Sequence, residues 1–283
     1  MVVHLPRATQ GGLPVTIDDQ LRAALTQLAG VDRLLVALDF DGVVSPIVER
    51  AEDARPLPAT AAAVVRLAAL PETWTAYVSG RALTSLLKVA SPDDRTLLIG
   101  SHGAEVRLGT EEHPVALDPD QRDALADLHR TFTEVSTQAP GTWVEEKPAG
   151  RVLHTRQADR DDAAAAVAAA RRALTGRGDI FLKDGKEVLE GSVVHATKGE
   201  GLAFLRQVTE AEAVLFAGDD VTDEDGFRAL ESGDVGIKVG PGETSAGFRV
   251  ESPQDVAEVV GLLAELRADL GAQTRPDTDG AST

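Results

Sequence analysis

Two runs of this chain, Leu34–Leu38 and Ala213–Ala217, are apolar at every position. Both are too short for a helix and show no alternation, so they predict strands buried on both faces inside a parallel sheet. Weaker runs at Trp74–Val78, Thr96–Ile99 and Val235–Val239 predict further strands. Helical spacing fills the gaps. Leu21, Leu25 and Leu28 share one face of a helix capped by Thr16 or Asp18 and closed by Gly30. Further helices are predicted from Pro58 to Leu70, through Leu83, Leu86 and Leu87, from Glu200 to Gln207, from Glu224 to Leu230, and from Pro253 to Leu270. Strands alternating with helices predict an α/β fold with a doubly wound, Rossmann-like parallel sheet.

From about Val106 the pattern changes. Short strands at Glu105–Leu108, Trp143–Lys147, Val152–Arg156 and Lys186–Glu190 alternate with helices at Asp120–Val135 and Asp161–Leu174. This order predicts an α+β insert with an antiparallel sheet. The expected divisions are a leader and helix over 1–30, a core over 31–107 and 194–270, an inserted cap over 108–193, and a disordered tail over 271–283.

Composition narrows the classes. The 283 residues are 43% hydrophobic but only 4% aromatic, so the core must be built from Ala, Val and Leu. The absence of cysteine excludes disulfides, thiolate metal sites and cysteine nucleophiles. No run approaches a membrane span and no signal pattern opens the chain, so a cytoplasmic protein, without a membrane partner, is expected; a monomer is the expectation for its assembly. The net charge of −18 disfavours nucleic acid and anionic membranes as partners. It also repels phosphorylated ligands, so any anion site needs positive charge of its own.

The polar residues that could do chemistry gather at the carboxyl ends of the predicted strands, where open α/β sheets bind ligands. Asp39 and Asp41, with Gly42, follow the first strand. That spacing fits a polar turn as well as a cation or nucleophile site. Ser79, Gly80 and Arg81 follow the second strand and open a helix, as a phosphate seat or as an ordinary cap. His102 lies in a glycine-containing loop after the third strand, as a site residue or a capped loop histidine. Lys198 begins a helix, where a cation opposes the helix dipole unless an anion lies beside it. Asp219, Asp220 and Asp223 belong to five acids within seven positions after Ala217, a crowding that predicts a cation. In the insert, alternation puts Glu145 with Lys147 and His154 with Arg156, and Glu190 lies on a later strand. Periodicity alone suits a solvated face with ion pairs better than a binding site.

The four strand-end motifs D-F-D-G, S-G-R, a downstream lysine and G-D-D-V-T-D-E-D, in this order around an insert, resemble the haloacid dehalogenase superfamily over residues 31–267. The resemblance implies that Asp39 is the nucleophile and Asp41 the general acid/base. It makes Ser79 and Lys198 phosphate-binding residues, and Asp219 a ligand of Mg²⁺ with Asp223 supporting it and Asp220 nearby. The insert sequences V-E-E-K, V-L-H-T-R and V-L-E are similar to those of trehalose-6-phosphate phosphatases. That similarity implies hydrolysis of trehalose 6-phosphate through an aspartyl-phosphate, with Glu145, Lys147, His154, Arg156 and Glu190 contacting the sugar. Gly191-Ser192-Val193 departs from the family's I-R-P, and Glu146 and Thr155 depart from its Asp and Tyr. A related cap acting on sucrose phosphate or mannosyl-glycerate phosphate is the alternative, and a non-catalytic sugar-phosphate-binding protein a further one.

Overall fold

The computed structural model describes residues 17–113, 115–185 and 187–273. Its larger sheet has eight strands in the order β12-β11-β10-β1-β2-β3-β4-β5. These are β1 (Leu34–Leu38), β2 (Thr73–Val78), β3 (Leu97–Gly100), β4 (Glu105–Leu108), β5 (Glu111–His113), β10 (Ala213–Gly218), β11 (Val235–Val239) and β12 (Phe248–Val250). The strands from β12 to β3 run parallel, and β4 and β5 add an antiparallel edge.

Alternate residues of β1 serve opposite faces. Leu34, Val36 and Leu38 pack with Leu25 of α1 (Asp19–Ala29), Leu67 of α2 (Pro58–Ala68), Leu86 of α3 (Leu83–Ala90) and Leu263 of α8 (Pro253–Gln273). Leu35 and Ala37 pack with Leu205 of α6 (Lys198–Thr209), Phe216 of β10 and Phe227 of α7 (Asp223–Arg228). Covered on both faces, β1 is buried at every position. That is why its sequence carries no alternation.

The smaller sheet is antiparallel, in the order β6-β7-β9-β8: β6 (Trp143–Lys147), β7 (Gly150–His154), β8 (Phe181–Gly185) and β9 (Val188–Ser192). One face packs on α4 (Pro119–Gln138) and the alanine-rich α5 (Arg160–Ala173), joining Leu153 and Leu189 to Leu128, Phe132, Ala166 and Ala170. The other face carries Glu145, Lys147, His154 and Glu190 and looks toward the larger sheet, since Lys147 Nζ donates to the Gly80 carbonyl at 3.0 Å.

Several boundaries differ from the sequence reading. Glu105–Leu108 belongs to the larger sheet, where its residues pair with β3, rather than to the insert's sheet. The hairpin strand starts at Gly150 rather than Val152, because Gly150 pairs with both Lys147 and Ser192. Of the last insert strand, Lys186 lies outside the described residues, and the pairing runs from Val188 to Ser192. The strands β5, β8 and β12 were not expected. They are sheet edges whose charged residues and glycine blur any strand pattern. Asp18 is the α1 cap, accepting from the Leu21 amide; Thr16 and the rest of the leader over 1–16 lie outside the described residues. The last helix continues to Gln273 through the start of the expected tail, and 274–283 lie outside the described residues.

Arg267 fastens α8 beneath the amino ends of the strands. Its guanidinium donates to the carbonyls of Ala29, Val31, Asp32 and Glu72 and to the Thr73 hydroxyl, at 2.6 to 3.1 Å. Arg267→Met strands these acceptors, so urea titration should show a loss of about 3 kcal/mol. A loss below about 1 kcal/mol would mean that the carbonyls find water readily.

Candidate active site

Adjacent strands bring two chain segments, far apart in sequence, to one point. The register sets Leu38 against Ala217, so Asp39 and the Asp219 loop leave the sheet side by side. Asp39, only 4% exposed, donates its amide to the Ala217 carbonyl at 2.9 Å. Lys198, 2% exposed, joins the two segments: its Nζ donates to Asp39 Oδ1 at 2.7 Å and to Asp223 Oδ1 at 2.6 Å. The start of α6 is fixed by a reciprocal cap. Thr197 Oγ1 accepts from the Glu200 amide, and the Glu200 carboxylate accepts from the Thr197 amide. The fully buried Asp223 also accepts the amides of Asp219 and Asp220, each at 2.9 Å, and so shapes the loop that presents Asp219. Lys238, a lone lysine in an otherwise apolar strand, donates to the Asp219 carbonyl from β11.

Asp39, Asp219 and Asp223 place carboxylate oxygens within 4.8 Å of one another. Burial, with Asp223 and Asp219 adding repulsion against the pull of Lys198, raises the Asp39 carboxyl well above the usual range. Burial and then Asp223 push Asp219 up to about 6. Burial alone would lower the Lys198 ammonium, but Asp39 and Asp223 outweigh it and raise it. One ammonium thus faces two buried carboxylates and the half-buried one of Asp219, and the set fits a divalent cation held by hard oxygen ligands. Both Asp223 oxygens are already engaged, which suits it to positioning. Close packing guards the cluster. Gly42 has φ of +83°, and a Cβ there would come within 2.1 Å of Asp219 Oδ2.

Asp41 lies outside the cluster, gripped by Arg81, whose Nε and Nη2 each donate to it at 2.6 Å. Ser79 is buried at the end of β2, where its Oγ accepts the Arg81 amide at 3.1 Å. Asp220 is exposed and outside the cluster.

On the insert, Lys147 Nζ bonds Glu190 Oε1 at 2.7 Å as well as the Gly80 carbonyl, which places both residues over the Ser79 loop. Burial would raise the Glu190 carboxyl, but His102 and Lys147 overcome it and hold it down at about 2. Glu145 and His154 pair with each other at 2.7 Å, with the His154 ring stacked on Trp143. Arg156 stands apart and exposed, donating to Glu187 and to the Glu49 carbonyl.

His102, ambiguous in sequence, packs its ring where a Gly80 Cβ would collide and sets Nε2 3.5 Å from Glu190 Oε2. Lys238 and Lys183 were not identified from the sequence. The only signal for Lys238 was a charge inside an apolar strand near its carboxyl end.

A parallel sheet with an aspartate after β1, an acidic loop after β10, and a lysine joining them is the haloacid dehalogenase fold. The trehalose-phosphatase family model matches residues 37–254. A trehalose-phosphate phosphatase of Mycobacterium marinum is 34% identical over 258 residues, covering 85% of this chain and 64% of that protein. The trehalose-6-phosphate phosphatase of Escherichia coli strain K12 is 34% identical over 195 residues, covering 67% of this chain and 71% of its own. The C-terminal domain of the C. albicans trehalose-6-phosphate phosphatase has the same fold, with a TM-score of 0.71 at 23% identity over 87% of this chain and 96% of that one. This chain belongs to the trehalose-phosphatase family. It spans between 33% and 64% of the length of the first curated relatives it matches. The family implies a divalent cation and a sugar phosphate. Among the described residues, no helix is long and apolar enough to cross a membrane.

The crowding has a measurable consequence. A raised Asp219 favours the folded state while the carboxyl is protonated, below its ordinary value of ~3.9, and that contribution is lost as pH rises through about 6. In chelator, the fall in melting temperature between pH 4 and pH 7 should therefore be smaller for Asp219→Asn than for the parent. A divalent cation should restore the parent at pH 7. Equal slopes for both proteins would remove the crowding from this account.

Proposed function

We propose that this chain hydrolyses trehalose 6-phosphate to trehalose and phosphate, with Mg²⁺ as cofactor and Asp39 as nucleophile. The observation that carries the reading is the Lys198 bridge. It holds a buried aspartate at the end of β1 against the acidic loop of β10, beneath a polar insert face. Asp39 and Asp219 would hold the cation, which when bound offsets charge on the phosphoryl oxygens.

Asp39 attacks phosphorus in line with the departing sugar oxygen, giving an aspartyl-phosphate on its carboxylate. Lys198 lies within hydrogen-bonding reach of Asp39 and so beside the transferring group, where its charge stabilises the transition state. The Ser79 hydroxyl, at the start of the β2–α3 turn, completes the phosphate seat. Arg81 grips Asp41 through both carboxylate oxygens, and an incoming phosphate competes for that guanidinium. Asp41, so released, protonates the sugar oxygen and then activates water against the aspartyl-phosphate. The Lys147 contact with Gly80 keeps the insert over this turn and limits water there. Glu145, Lys147 and Glu190 offer both donors and acceptors to the sugar hydroxyls, with His154 set by Glu145 and Arg156 at the margin.

Phosphate release from a panel of sugar phosphates, with and without Mg²⁺, tests the reading. Trehalose 6-phosphate should be turned over fastest, and only with the metal. Asp39→Asn should lose at least about 10³-fold in rate while keeping its fold. Equal rates on sucrose or mannosyl-glycerate phosphate would defeat the substrate assignment, and an unaffected Asp39→Asn would defeat the mechanism.

A further inference from the structure

A cleft of about 480 Å³ opens between the β8 edge of the smaller sheet and the loop preceding α6. His102, Lys147, Phe181, Lys183, Glu190 and Asp225 line it, and its wall reaches Thr197, next to Lys198. It therefore lies beside the phosphate seat rather than on a remote face. Its size suits a small ligand.

Lys183 is the unexplained group in that wall. In register it stands opposite Glu190, which stands opposite Val152, which stands opposite Glu145. Residues directly opposed across antiparallel strands project to the same face, so Lys183 points the way Glu190 does, toward the larger sheet. It is half-buried, yet no hydrogen bond or ion pair joins its ammonium to any described residue. Leaving an ammonium partly desolvated and unpaired is costly. In keeping with this, burial lowers Lys183 against the opposing pull of Glu190. A second polar atom in the wall, His102 Nδ1, is buried with no partner among the described residues.

We propose that Lys183 is a further substrate-binding residue, donating hydrogen bonds to hydroxyls of the uncharged sugar of the leaving group while Phe181 packs against that sugar's apolar face. This rests on the phosphatase reading above and extends it to a residue that lies outside the Glu145, Lys147 and Glu190 set. The charge pattern selects the chemistry. Lys147 and Lys183 are balanced by Glu190 and Asp225, so the cleft offers donors and acceptors without net charge. That favours a polyol over a second phosphate or a carboxylate. A sugar also presents C–H faces, and Ile180, Phe181 and Val194 supply apolar wall for them.

The test compares kcat and KM of the full chain and of Lys183→Met on trehalose 6-phosphate and on p-nitrophenyl phosphate, which has no sugar. The ratio of kcat/KM for the two substrates should fall about tenfold, through KM for trehalose 6-phosphate, as expected for one lost charged hydrogen bond. Lys183→Arg should recover part of that ratio. An unchanged ratio, whether both substrates are unaffected or both fall together, overturns the proposal. A parent protein that hydrolyses p-nitrophenyl phosphate but not trehalose 6-phosphate defeats the substrate reading alone. Lys183 is then judged by the same ratio on the panel's preferred sugar phosphate.

Discussion

The structure turns on one buried ammonium. Lys198 touches the Asp39 carboxylate just after β1 and the Asp223 carboxylate at the start of α7, and without it two buried acids would face each other with no counter-charge. Its position depends on the α6 cap and on the parallel pairing of β1 with β10. The whole sheet is thus a device for bringing three acids and one base to a point. The negative charge left over there suits a divalent cation.

The insert is tied to that point by its polar face. Lys147 reaches across to Gly80, while Glu190 meets both Lys147 and His102. The turn that follows β2 is consequently shared: its Ser79 hydroxyl accepts the Arg81 amide on the core side, and its Gly80 carbonyl and the His102 ring beside it face the insert. A change in how the insert sits should be felt at Ser79 and Arg81 without any change in the larger sheet.

Legibility in the sequence followed burial. β1 and β10 are covered by helices on both faces, so their unbroken apolar runs announced a parallel sheet, and the acids at their ends stood out against them. Asp39, Lys198 and the Asp219 loop could therefore be found as motifs, although the union of Asp39, Lys198 and Asp223 depends on strand order, which no local pattern carries. Edge strands were harder to read. β8 is Phe-Leu-Lys-Asp-Gly, with three of its five residues exposed and none buried, and nothing in its periodicity separates it from a loop. Lys183 was hidden with it. His102 was visible but ambiguous, because its partner Glu190 lies far along the chain on another strand. Asp41 shows the opposite limit. Its spacing from Asp39 suggested a shared ligand, yet its side chain pairs with Arg81, and a two-residue offset does not tell which way a carboxylate turns.

The central claim is that Asp39 carries the phosphoryl group beside Lys198. Its most direct test is to quench the reacting protein with hydroxylamine, which converts an acyl phosphate to a hydroxamate, and to locate the product by peptide mass mapping. The account predicts a hydroxamate at Asp39, formed only with trehalose 6-phosphate and Mg²⁺ present and lost in Lys198→Met. A hydroxamate at another carboxylate, or steady turnover with none at Asp39, would contradict it.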